Sequence, residues 1–289
     1  MSAAVVPLAT TPAAPSNSSL RALARADARR FARHPLFLFG VAACLLMLMP
    51  GADSGWTIGA APLEGTVLPA FFLGVFGFVV AHRLTTSLRR TRDLADIAPV
   101  DERRRTVSLC LACLVPTAVA AVMTTALLIA AAIWPPVGIP AGAPVSWFGD
   151  EPSVDILAAL IAGGPVAALG GSLLGVAVAR WAPFRGSALL AVVLLVATSM
   201  FAAEGSTTIW NALAPYQVFS DSLVVDGQVR SSWLSEGLSP RWHLAYAVFL
   251  CGLAVVAALL RDRSGRRRFV VIGVGLIAAA AGALLLAVQ

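Results

Sequence analysis

No lysine occurs anywhere in the 289 residues, so all 21 basic residues are arginine. A G-x-x-x-x-G-K-[ST] phosphate loop is therefore impossible, and the chain cannot bind and hydrolyse ATP in that manner. Histidine is nearly as scarce. His34, His82 and His243 stand far apart at the ends of apolar runs, no H-E-x-x-H occurs, and no zinc site is expected. Charged residues make up only 12% of the chain against 58% hydrophobic, and mean hydropathy is +0.84. That balance excludes a soluble domain of ordinary composition. The four cysteines, Cys44, Cys110, Cys113 and Cys251, all lie inside apolar runs. The C-x-x-C spacing at 110 and 113 has no second pair or histidine beside it, so small buried residues are expected there rather than a redox or metal site.

What remains is the composition of a polytopic membrane protein in contact with a lipid bilayer. A pI near 10.1 could suggest nucleic acid. The arginines, however, sit in short clusters beside apolar spans without the interleaved aromatics of a single-strand binder, so no nucleic-acid partner is expected.

Residues 1–17 are rich in Ala, Pro, Ser and Thr and carry no basic residue, which predicts a disordered tail rather than a signal peptide. Residues 18–34 follow as an amphipathic interfacial helix, with Ser18 or Ser19 able to cap it. Arg21, Arg25, Arg29 and Arg33 recur every four residues along one side, while Leu20, Leu23, Ala24, Ala28 and Phe31 supply the other. Such a helix lies on an anionic membrane surface. Residues 35–289 form the transmembrane domain, with spans expected at about 36–50, 66–81, 106–133, 154–179, 187–203, 242–260 and 269–288. Pro116 is a candidate kink in the third. The fourth carries Gly163, Gly164, Ala167, Ala168, Gly170, Gly171 and Gly175, a stripe that lets helix backbones approach closely, and Gly163-Gly164-Pro165 could equally be a hinge. Between 204 and 241 lies the longest polar segment, with Trp210, Tyr216 and Trp233 in it, read as one or two interfacial or re-entrant helices.

Charge fixes the expected orientation. With the N-terminus inside, the inner segments hold five arginines in the first helix, seven from Arg83 to Arg105, Arg180 and Arg185, and five from Arg261 to Arg268. Only Arg230 and Arg241 fall outside, together with nine of the fifteen acids, as cytoplasmic-side enrichment of arginine requires. Asp155 and Glu204 come nearest to lying within a span and are expected at the outer interface. Serine-histidine catalysis would need His243 beside Ser187 or Ser199, which no spacing supports, so no catalytic residue and no cofactor is expected.

The charged stretch between the second and third spans, HRLTTSLRRTRDLADIAPVDERRRT, carries more information. Across 84–98, Leu84, Leu88, Leu94, Ala95, Ile97 and Ala98 fall near helical spacing, with Arg89, Arg90, Arg92, Asp93 and Asp96 facing elsewhere. Pro99 stops that helix and Asp101 can cap the next. The order of parts resembles the permease subunit of ABC-2-type transporters: a basic helix ending RRFARHP, two spans, a helix of the form TRDLADIAPVDERRRT, then further spans with a polar outer segment between the fifth and sixth. The likeness covers about residues 18–260.

The resemblance implies an all-α polytopic membrane protein of six to seven transmembrane helices, with an N-terminal amphipathic interfacial helix and a cytoplasmic coupling helix between spans 2 and 3. It implies a separate ABC ATP-binding subunit as partner, contacted through Leu88, Arg89, Arg92, Asp93, Leu94 and Asp96 with the interfacial arginines in support. It also implies a homodimer or a sister permease, and a seventh span departs from its six-span pattern. A different reading remains open, that of a membrane scaffold or sensor subunit binding a ligand through 204–241. An enzyme acting on lipid or glycan would have to use Glu204, Asp221, Asp226 and Glu236, which read more simply as solvated loop charge.

Overall fold

The computed structural model describes residues 17–48, 67–90, 101–133, 153–184, 186–203, 212–213, 222–225, 228–231, 238–262 and 265–288. The expected N-terminal tail lies outside these residues apart from its last one. Helix α1, Asn17–Ala32, begins at Asn17, so the expected cap residues Ser18 and Ser19 both lie within the helix. Its apolar side is folded inward, with Phe31 fully buried, and Arg21, Arg25, Arg29 and Arg33 are all exposed. A bend of 56° leads into α2, Pro35–Leu48. At the bend His34 begins the new helix, its Nδ1 accepting from the Leu36 amide at 3.3 Å.

Helix α3, Val67–Arg90, contains the second span and continues without a break through Leu84 to Arg90. The first half of the expected separate helix at 84–98 is thus an extension of the span. Asp101 then caps α4, Glu102–Ala112, its carboxylate accepting from the Arg103 amide at 3.3 Å. A one-residue break at Cys113 leads to α5, Leu114–Ile133. Pro116 explains it: with no amide hydrogen it cannot donate to the Ala112 carbonyl, so the irregularity falls one turn before the proline.

The fourth span is α6, Ser153–Ile161, a π-helical turn at Ala162–Val166, and α7, Ala167–Trp181. Pro165 leaves the Ile161 carbonyl without its ordinary donor, and the wider turn absorbs the defect. Helix α8, Ser187–Ala203, α9, Pro240–Leu260, and α10, Arg266–Ala287, are the remaining long helices among the described residues. Within the 204–241 segment, where helices are expected, Ala212 and Leu213 are helical but 222–225 and 228–231 are not. Strands β1, Ser222–Val225, and β2, Gln228–Ser231, pair antiparallel with Val224 opposite Val229. Valines flanking an Asp226-Gly227 dipeptide favour this hairpin over a helix.

The tightest packing joins α3 to α7, as the small residues of the fourth span predict. A Cβ at Gly175 would fall on the Phe78 carbonyl oxygen, and one at Gly77 would strike the Ser172 hydroxyl. Around this contact Leu73, Phe78, Val80, Ala168 and Val176 are buried. At the π turn Gly164 faces Thr124, whose Oγ1 a Cβ there would approach to 2.7 Å, so this glycine serves close packing.

Among the described residues five helices are long and apolar enough to cross a membrane, or six if the bent α1–α2 pair counts as one span. Exposed apolar side chains such as Val122, Val248, Val271 and Leu285 line their outward faces, as lipid contact requires. The chain is a multi-pass membrane protein. The described parts of two further expected spans, α2 at 14 residues and α8 at 17, are shorter than the roughly 20 residues a bilayer demands. The last span, α10, is among the five.

Candidate functional site

The chain's arginine-rich ends gather at one end of the bundle, where α3 leaves, α4 enters, α7 finishes and α9 turns into α10. Arg180, the penultimate residue of α7, is only 4% exposed. Its Nη1 donates to Glu102 at 2.6 Å and its Nη2 to Asp262 at 3.1 Å. Its Nε donates to the Ala258 carbonyl at 3.3 Å. One guanidinium therefore joins the first residue of α4, the last turn of α9 and the turn before α10. A buried cation is tolerated here because two carboxylates neutralise it and the planar fork reaches three acceptors at once. Beside it the Trp181 indole donates to the Ala257 carbonyl at 2.7 Å. Arg103 lies over the Phe269 ring, 4.9 Å from its centre, tying α4 to α10 as well.

Helix α1 is locked to the same place. Asp27 is 3% exposed and accepts from the Ser108 hydroxyl of α4 at 2.5 Å. Phe31 meets Phe37 edge to face at 5.4 Å, which fixes the elbow between α1 and α2. Arg104 donates to Ser19 at 3.4 Å. The His34 imidazole at the elbow is held below its ordinary value, first by burial and then by the nearby Arg83 charge.

Of the residues expected to contact an ATP-binding subunit, Leu88 and Arg89 occupy the last turn of α3. Arg92, Asp93, Leu94 and Asp96 lie outside the described residues. The flanking ends, Arg90 and Asp101, bracket this segment, so its far end leads directly into the Asp101 cap and Glu102. Arg21, Arg25 and Arg29 form the exposed side of α1, and Arg33 follows just past its end.

Several polar groups escaped the sequence reading. Arg180 was counted only as a topological charge. Asp27 carried a legible signal: with Leu20, Ala24 and Phe31 it falls on the apolar side of α1, where an acid needs a partner. Ser187 pairs with His82 at 2.9 Å rather than with His243. At the opposite end of the bundle Asp155, expected at an interface, is buried and lies 2.6 Å from Arg241. Nearby, the Tyr246 hydroxyl donates to the Leu213 carbonyl at 3.3 Å. Among the described residues no three His, Cys, Asp or Glu side chains come together as a metal site, and the four cysteines are free thiols.

No protein-family model, curated protein or solved structure matches the chain.

Proposed function

We propose that this chain is the transmembrane permease subunit of an ABC-2-type exporter in the plasma membrane. It would form the substrate pathway with a second copy or a sister permease, and ATP would be hydrolysed on a separate subunit at the cytoplasmic face, where the N-terminus also lies. The observation that carries the reading is the Arg180 brace. A permease without an ATPase must receive its driving force mechanically, through a rigid element at the face where the partner sits. Residues 84–98 are the expected docking element, and the helix that follows, α4, is tied at its first residue to α7, α9 and the turn before α10. A displacement of that segment would therefore reach four elements together. The interfacial helix α1, joined to α4 by Asp27 and Ser108, would move with them.

The test is a mild-detergent pull-down of the tagged chain from its native cells, with wild type compared against the R92A/D93A double variant. Stoichiometric recovery of a P-loop ATPase with wild type and its loss with the variant supports the proposal. Repeated absence of an ATPase, with other assemblies preserved, transfers the assignment to the scaffold or sensor reading, in which the segment bearing the β-hairpin binds the ligand. Equal recovery with both proteins would leave a permease whose docking residues are not Arg92 and Asp93.

A further inference from the structure

A groove of about 430 Å³ opens between α1 and α4, lined by Leu20, Arg21, Ala24, Arg25 and Leu111. Its lining divides by chemistry. Two guanidinium-bearing side chains, one helical turn apart, supply the charged part, and three apolar side chains supply the rest. None of the lining residues is acidic. The one carboxylate of α1, Asp27, is buried on Ser108. Among the described residues neither Arg21 nor Arg25 makes an ion pair. Two like charges at i and i+4 repel, and a bound anion reverses the sign of that interaction.

The apolar part continues beyond the groove. Leu111 is 42% exposed and Leu114, at the start of α5, is 51% exposed, so an apolar strip runs from the groove along the outward face of the third span. A free inorganic anion has no use for such a strip, whereas a lipid with a charged head and acyl tails fits both halves.

We propose that this groove is a discrete binding site for an anionic glycerophospholipid. Arg21 and Arg25 fork the phosphodiester oxygens, Leu20, Ala24 and Leu111 receive the glycerol backbone, and an acyl chain lies along Leu111 and Leu114. The site is more specific than the general attraction of a basic helix to a negative surface, because only two of the arginines along α1 line it. It requires the membrane location of the chain and does not depend on an ATPase partner.

Purified full-length protein is titrated with phosphatidylglycerol and, separately, phosphatidylcholine, and bound lipid is counted by native mass spectrometry. The expected result is one phosphatidylglycerol held per chain in preference to phosphatidylcholine. An arginine near an anionic surface contributes roughly a fivefold change in affinity, so R21Q/R25Q should weaken binding on the order of thirtyfold. L111W should weaken it without altering charge. R29Q/R33Q removes the same charge from the end of α1 and the residue just beyond it, outside the groove, and should weaken binding clearly less than R21Q/R25Q, since neither side chain lines the site. Equal loss in R29Q/R33Q and R21Q/R25Q, or no effect of L111W, would reduce the site to diffuse surface attraction and overturn the proposal. So would an absence of phosphatidylglycerol preference, or displacement of the lipid by millimolar inorganic phosphate, which would identify a free-anion site.

Discussion

Replacing Arg180 is the most direct trial of the brace. The guanidinium is 4% exposed, while its two carboxylate partners differ: Asp262 is 14% exposed and Glu102 is 40% exposed. Truncating one member of a fully buried pair costs about 3–5 kcal/mol, because the remaining charge is stranded. Glu102 can turn to water when released, and its share is discounted accordingly. Asp262 cannot turn to the same extent, and its second carboxylate oxygen is already buried without a hydrogen bond. R180M keeps the aliphatic stem and should lower stability by about 2–4 kcal/mol, most of it from Asp262. R180K keeps the charge but not the fork, and should fall between R180M and wild type. Adding D262N to R180M removes the stranded charge, so the double variant should be less destabilised than the sum of the singles, by about 1–3 kcal/mol. The assay is reversible unfolding in mixed micelles with rising SDS, supported by hydrogen exchange at the amides of Arg103 to Arg105, which should quicken in R180M. If R180M stays within about 0.5 kcal/mol of wild type, or the R180M and D262N effects simply add, the brace is not holding these helices together.

Two further outcomes follow from local geometry. G175A places a methyl group on the Phe78 carbonyl and should destabilise by about 1–3 kcal/mol by forcing α3 from α7, whereas G275A meets nothing within 4 Å and should be neutral or slightly stabilising in the same unfolding assay. His34 is favoured neutral in the folded chain, so its contribution is complete above the ordinary value of 6.5, declines as the pH falls below it, and levels off beneath the lower folded value. A proton on Nδ1 also removes the acceptor for the Leu36 amide, a capping bond worth on the order of 1 kcal/mol, and an NMR titration giving a His34 value at or above 6.5 would contradict the assignment.

The fold was legible where its cause is local. A helix must satisfy its own backbone in a lipid core, so an apolar run of sufficient length announces a span whatever it packs against. The Asp101 cap after Pro99 and the small-residue face of the fourth span are local in the same sense, and both are present. Among the described residues α2 and α8 are apolar helices shorter than a span, and both stand where the sequence places a span. The hairpin at 222–231 was also locally encoded, in Asp226-Gly227 between valines, but the aromatic residues around it suggested interfacial helices instead.

By itself the sequence determined that this chain threads a membrane repeatedly, that one end of the bundle is basic, and that α1 is two-faced, since each follows from periodicity and composition over a few turns. Only the tertiary structure decided which charges are structural. Arg180 with Glu102 and Asp262, His82 with Ser187, and Asp155 with Arg241 join residues about 80 or more positions apart. No local pattern encodes such pairs. An arginine counted for topology looks the same in sequence as one buried between two carboxylates, and burial, which sets the energy of a charge, exists only once the helices have met.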